Sequence, residues 1–157
     1  MKTRFAALAL LLSLLGAASA QAQSYGPNIT LEQAKTVLAA AEAEAMRQNF
    51  AVAIAVVDTA GNLVAYVKRD DTQTASVEVS QGKARTAAMF KRPTKSFQDT
   101  IAAGGVGLRS MTLEGVVAAE GGVPLLVDGA IVGAIGVSGV TSEQDGMVAA
   151  AGAAALE

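Results

Sequence analysis

The chain has 157 residues, 52% of them apolar and 17% charged, with a net charge of −2 and neither histidine nor cysteine. That length suits one small domain with a real core, and the mildly acidic balance offers nucleic acid no basic footprint. Without histidine the commonest metal ligand and general base are gone, and without cysteine stability falls to packing and subunit association.

Lys2 and Arg4, the apolar run 5–15 and the small residues Ala18, Ser19 and Ala20 form the pattern of a secretory signal peptide over 1–20. The run is shorter than the roughly 20 apolar residues of a membrane span. Cleavage is expected after Ala20, or after Ala22, since Ala20-Gln21-Ala22 obeys the same rule. Either cut gives a periplasmic or secreted protein, with a flexible leader over 21–29 and a single domain over 30–157.

Thr30-Leu31-Glu32-Gln33 reads as a capping box, and Leu31, Ala34, Leu38, Ala41 and Ala45 follow at the spacing of one buried helical stripe ending near Asn49. Runs 52–57 and 63–67 are rich in Val and Ile, and Asp58-Thr59-Ala60-Gly61-Asn62 between them supplies turn chemistry for a first hairpin. After a polar loop at 70–74 a helix is expected over 75–91, stopped by Pro93. Thr94 is placed to cap a shorter helix over 95–102, and Gly104-Gly105-Val106-Gly107 then breaks the chain into a mobile segment.

A second hairpin turns at Asp128-Gly129, a dipeptide that accepts the positive backbone angles of a tight turn. Its outgoing run carries Gly133, Gly136 and Gly139, and each glycine costs side-chain packing and backbone entropy. A ligand, a packed helix or a neighbouring subunit approaching that backbone would account for them equally well. Thr141-Ser142-Glu143-Gln144 is another capping box and opens the last helix. The pattern is α+β, an antiparallel sheet covered by helices.

Arg85, Met89 and Arg92 are spaced i, i+4 and i+7 and share one face of the middle helix. A thioether between two guanidinium groups suits a flat apolar ligand bearing carboxylates; the plainer alternative is a core methionine flanked by solvated arginines. Lys83 lies on another face, where it holds an anion or pairs with an acid such as Glu78 or Asp58. Lys91, Arg92 and Lys95 make a cationic corner at the helix break. Asp58, Asp70, Asp71, Glu78 and Glu120 lie near loop ends, and two of them meeting would serve a hard cation or acid/base chemistry. Their spacing is not that of a calcium loop, so turn capping is the reading for Asp58, a solvated loop the reading for Asp70 and Asp71, and no metal site is assigned. Gly104 to Gly107 lacks the preceding strand and full spacing of a phosphate cradle.

Three blocks in order, Val52-Ala53-Ile54-Ala55-Val56-Val57-Asp58 with Gly61, Ser80-Gln81-Gly82-Lys83-Ala84-Arg85-Thr86-Ala87-Ala88, and Gly121-Gly122-Val123-Pro124 through Ser138-Gly139 with Asp145, resemble the GlcG and HbpS family of haem-degrading domains. The resemblance implies a profilin-like fold, assembly as a homo-oligomer, and haem or another tetrapyrrole as cofactor in degradation, uptake or sensing. It places the site between the middle helix and the second hairpin: Lys83, Arg85 and Arg92 at the carboxylates, Met89 at the ring, with Gly136 and Ser138 beside them. A histidine iron ligand used by some members has no counterpart here, which leaves the phenols of Tyr25 and Tyr66 among the possible ligand types.

Members linked to glycolate use imply a second reading, binding or turnover of a small hydroxy or carboxylic acid. In that reading Lys83 or Arg85 holds the carboxylate and Asp58 or Glu120 moves the proton. A third reading is a structural oligomer subunit without ligand, its Ala- and Gly-rich surfaces close-packing against copies of itself.

Overall fold

Thr30 opens the first helix through both halves of its capping box: its Oγ1 accepts from the Gln33 amide at 3.2 Å, and its own amide donates to Gln33 Oε1 at 2.9 Å. In the computed structural model, which describes residues 23–156, this helix is α1, Leu31–Arg47. The signal-peptide segment lies outside the described residues. The buried stripe of α1 is Ala34, Val37, Ala41 and Ala45. Val37 thus takes the place expected of Leu31, which is half exposed, while Leu38 packs at the margin.

Two hairpins build one antiparallel sheet. β1 (Ala53–Asp58) pairs with β2 (Leu63–Lys68), β3 (Gly122–Val127) with β4 (Ala130–Ser138), and β1 with β4 joins them in the order β2-β1-β4-β3. Asp128 and Gly129 sit at φ 50° and 77°, the two left-handed positions of the expected tight turn. The leader expected to fray is instead tied to the sheet. The Gly26 amide donates to the Ile131 carbonyl at 2.9 Å, the Ile131 amide to Ser24 at 2.9 Å and the Ile29 amide to Val132 at 2.8 Å, and Ile29 is buried.

The two faces of the sheet are covered differently. One carries Ile54, Val56, Ile135 and Val137 under α1 and α4 (Ser142–Ala153), a helix opened by the Thr141 capping box. The other carries Ala55 and Ala134 under α2 (Ser76–Phe90), which answers with Ala84, Ala87 and Ala88. Small residues on both sides let α2 come very near, and a Cβ on Gly136 would collide with the Ser80 carbonyl oxygen; one on Gly133 would collide with the Val57 carbonyl oxygen of the adjacent β1. Of the three explanations for this glycine run, a packed helix accounts for Gly136, while Gly133 answers to none of them and is explained by the backbone of the neighbouring strand β1.

Beyond α2, Lys91 turns left-handed at φ 55°, and α3 (Lys95–Ala102) follows Pro93. Thr94 does not cap α3 with its side chain. Its Oγ1 accepts from the Gly122 amide at 2.9 Å and its own amide donates to the Gly122 carbonyl at 3.0 Å, so the corner is fastened to the start of β3. Where a mobile segment was expected, Gly105–Thr112 forms a 3₁₀ segment packed on α3, entered through left-handed Gly104 and Gly105.

Candidate functional site

Three of the six residues placed in the site by sequence belong to the seam between α2 and the sheet. Lys83 is 2% exposed; its Nζ donates to Asp145 Oδ2 at 2.7 Å and to the Val137 carbonyl at 3.0 Å. Its partner is therefore the acid at the start of α4, not Glu78 or Asp58, and the ammonium fastens α2 to β4 and α4 rather than facing a ligand. Burial raises the Asp145 carboxyl above the ordinary carboxylate range, against the hydrogen bond and charge of Lys83 and the amides of Val140 and Gly139. Gly136 lies beneath α2, and the buried Ser138 hydroxyl bonds that of Ser76 at 3.1 Å.

The other three are divided. Arg85 lies outward against Gly61, where a Cβ would meet the arginine Cγ at 2.9 Å. Beside it Asp58 caps its own turn, accepting from the amides of Ala60 and Asn62 at 2.9 Å each and from Asn62 Nδ2 at 3.0 Å. Burial pushes that carboxyl up, but these bonds outweigh it and hold it below its ordinary range. Met89 is exposed near the end of α2, and Arg92 lines a cavity beyond it. The helical face expected for Arg85, Met89 and Arg92 stops short of Arg92, because α2 ends at Phe90 and Lys91 turns left-handed, and Arg85 packs on the first hairpin's turn.

The cavity, about 340 Å³, lies among the end of α2, α3 and the 3₁₀ segment. Phe90 and Phe97 meet edge to face at 5.3 Å and 83°, and the Arg92 guanidinium lies 5.1 Å from the centre of the Phe97 ring. Arg109, Ser110, Thr112 and Leu113 complete the wall. Arg92 Nε donates to the Phe90 carbonyl at 3.2 Å, and no carboxylate pairs with Arg92 or Arg109 among the described residues. Val106, Leu108 and Met111 of the 3₁₀ segment are exposed apolar side chains. Aromatic walls with two unneutralised guanidinium groups suit an apolar acid, and the volume is at the small end of the ~300–1,000 Å³ usual for ligand pockets.

Neither tyrosine faces this cavity as a free phenol. The Tyr25 hydroxyl donates to the carbonyls of Ala88 at 2.9 Å and Met89 at 3.1 Å, closing α2, and Lys91 Nζ stands 4.2 Å over its ring. The Tyr66 hydroxyl is buried without a partner among the described residues; burial pushes it up, helped by the charge of Glu78. The acids do not converge either: among the described residues no three potential His, Cys, Asp or Glu ligands gather around one point. Of the set read for a small hydroxy acid, Lys83 is engaged with Asp145, and Asp58 lies in the turn against which Arg85 packs, its carboxylate held by the amides of that turn. Phe90, Phe97 and Arg109 were not singled out from the sequence. The available signal was Arg109 standing alone among Val106, Leu108, Met111 and Leu113 in a glycine-flanked stretch.

The chain's residues 29–154 match the family described as haem degrading protein HbpS-like. It is 41% identical over 110 residues to protein GlcG of Escherichia coli K12, covering 70% of this chain and 81% of that one. Among solved structures, a double mutant of Streptomyces reticuli HbpS superposes with a TM-score of 0.77 at 28% identity, covering 100% of this chain and 99% of the other. A PduOC:heme complex superposes at 0.74 and 28% identity, covering 83% and 96%.

Proposed function

The chain belongs to the HbpS-like haem-degrading family, and we propose that it is an exported protein binding haem or a similar tetrapyrrole at the Arg92–Arg109 cavity. The observation that carries this is the pairing of an aromatic wall, Phe90 and Phe97, with two guanidinium groups that no carboxylate neutralises. The likeness to the PduOC:heme complex supports the ligand class.

The residues present fit the group in its organic parts. Arg92 and Arg109 would hold the propionates, for which a planar fork is well matched, and the phenyl rings with Leu113 would pack the macrocycle edge. In a chain without histidine or cysteine, the exposed Met89 and Met111, neighbours in sequence of the lining residues Phe90, Ser110 and Thr112, would offer thioethers to iron. Haem, when bound, supplies redox-active iron; the chain's own residues bind its acids and shield one edge from water. The exposed apolar side chains Val106, Leu108 and Met111 would be covered by the ring or by a second copy of the chain. Delivery across the inner membrane rests on the signal sequence; no described helix is long and apolar enough to cross a membrane.

A visible titration of the purified mature chain with ferric haem tests the proposal. A saturable Soret shift at one haem per chain or per dimer is expected, weakened tenfold or more by Arg92→Gln with Arg109→Gln. No saturable shift, or equal affinity in the double variant, would overturn it.

A further inference from the structure

α1, α3 and α4 each close on bonds from their own C-cap amide, whereas the last turn of α2 is closed from outside, by Tyr25 of the leader. The Tyr25 hydroxyl shares its proton between the carbonyls of Ala88 at 2.9 Å and Met89 at 3.1 Å. The tyrosine is itself braced on both sides by β4: the Ile131 amide donates to the Ser24 carbonyl and the Gly26 amide to the Ile131 carbonyl, each at 2.9 Å. A line of bonds thus runs from the sheet through the leader to the end of α2. Tyr25 precedes the family-matched residues 29–154, so membership of the family gives it no role.

Immediately beyond that end comes the corner that shapes the Arg92–Arg109 cavity. Lys91 is left-handed at φ 55°, a strained state for a residue with a side chain, and its ammonium stands 4.2 Å over the Tyr25 ring. Had the helix continued, Arg92 would lie over Ala88, four residues earlier, on the surface of α2 itself. The turn at Lys91 instead sends the Arg92 guanidinium to within 5.1 Å of the centre of the Phe97 ring, with Nε donating to the Phe90 carbonyl at 3.2 Å. The phenol of Tyr25 therefore holds the turn on both sides, the carbonyls before it through the hydroxyl and Lys91 through the ring face.

We propose that Tyr25 is a positioning residue for this cavity, holding the Lys91 turn so that the Arg92 guanidinium is aimed at a ligand carboxylate before the ligand arrives. Tyr25 touches no ligand; it acts through Lys91 and the end of α2. What it supplies is preorganisation: an arginine free to swing loses its rotamer freedom on binding, and one already held against Phe97 has less to lose. The inference rests on the haem reading for the identity of the ligand, and on the geometry of the corner for everything else.

The test compares three variants of the mature chain at a temperature where all are folded. Tyr25→Phe removes the hydroxyl and keeps the ring under Lys91, and Tyr25→Leu removes both. Thr141→Ala removes the cap of α4, on the opposite face of the sheet, at a comparable cost in stability. Two signals are followed: ferric haem affinity from the Soret titration, and, without haem, the exchange of the Arg92 Nε–H proton with water by ¹⁵N NMR. Tyr25→Phe should weaken haem binding about fivefold, the worth of one hydrogen bond, and Tyr25→Leu should weaken it further. The Arg92 Nε–H proton should exchange faster in both. Thr141→Ala should match the parent in affinity and in exchange, which a merely structural role for Tyr25 would not predict. Undiminished haem affinity in Tyr25→Leu, unchanged Arg92 exchange in that variant, or an equal loss of affinity in Thr141→Ala would overturn the proposal. A parent that binds no haem would overturn the haem reading alone, and the Arg92 exchange would then decide the role of Tyr25 by itself.

Discussion

Replacing Lys83 by methionine removes the ammonium while nearly preserving the stem, and it leaves the Asp145 carboxylate, 3% exposed, without its cation. Breaking one side of a buried ion pair typically costs about 3–5 kcal/mol, because the remaining charge is stranded. The pair here is short, 2.7 Å, and Lys83 Nζ also satisfies the Val137 carbonyl, so the upper half of that range is expected. For a domain of this size the loss corresponds to a fall in melting temperature on the order of 10–20 °C. Urea denaturation followed by circular dichroism gives the free energy directly. Adding Asp145→Asn removes the stranded charge while keeping an oxygen that can accept from the Val140 amide, now bonded at 3.2 Å. The double variant should recover at least half of the loss. The pH dependence has a definite sign: burial already raises the Asp145 carboxyl, so the native state takes up a proton before the unfolded chain does. The deficit of Lys83→Met is therefore full at neutral pH and shrinks as pH falls through the raised value. A cost below about 1 kcal/mol, or no recovery in the double variant, would refute the reasoning.

Gly136→Ala drives a Cβ into the Ser80 carbonyl and within 2.5 Å of the Ala84 amide nitrogen, both backbone atoms of α2. A loss of at least about 2 kcal/mol is expected in urea melts; a neutral effect would show that α2 is not seated so closely. Asp58→Ala should cost about 1–2 kcal/mol at pH 7, measured the same way. Because the native carboxyl lies below its ordinary value of 3.8, that contribution is present above pH 3.8 and disappears as pH falls through the lower folded value, so parent and variant should converge there. Tyr25→Phe removes both bonds to the end of α2 and should lower stability by about 1 kcal/mol. It should also speed hydrogen exchange at Gly26 and Ile29, while leaving the ferric Soret position unchanged if the phenol is no iron ligand.

The elements were legible where local chemistry decides them. Two capping boxes, an Asp-Gly turn and Pro93 each fix a backbone state within a few residues, and all stand where the sequence puts them. Long-range partners were not legible. Thr94 has the look of a cap, but the Gly122 amide, distant in sequence, takes its hydroxyl. By sequence Lys83 suits an anion or an acid equally, and only the packing of α2 across β4 brings it to Asp145. The leader is polar, and its anchoring depends on backbone bonds to Ile131 and Val132 that no side-chain pattern announces. The site was half visible for the same reason. Helical spacing gathered Arg85, Met89 and Arg92, but the wall opposite Arg92 comes from the 3₁₀ segment, whose glycines pointed to a loop. Arg85 was carried away by the turn at Gly61, a contact between elements far apart in the chain.

The most direct test of the central claim locates the ligand. Backbone amide signals of the mature chain are compared with ferric haem and with diamagnetic zinc protoporphyrin, so that losses due to the iron alone are isolated. Iron-dependent broadening should centre on Phe90, Arg92, Phe97 and residues 106–113, with Lys83, Ser138 and Asp145 spared. Broadening centred elsewhere, or none at saturating haem, would contradict it.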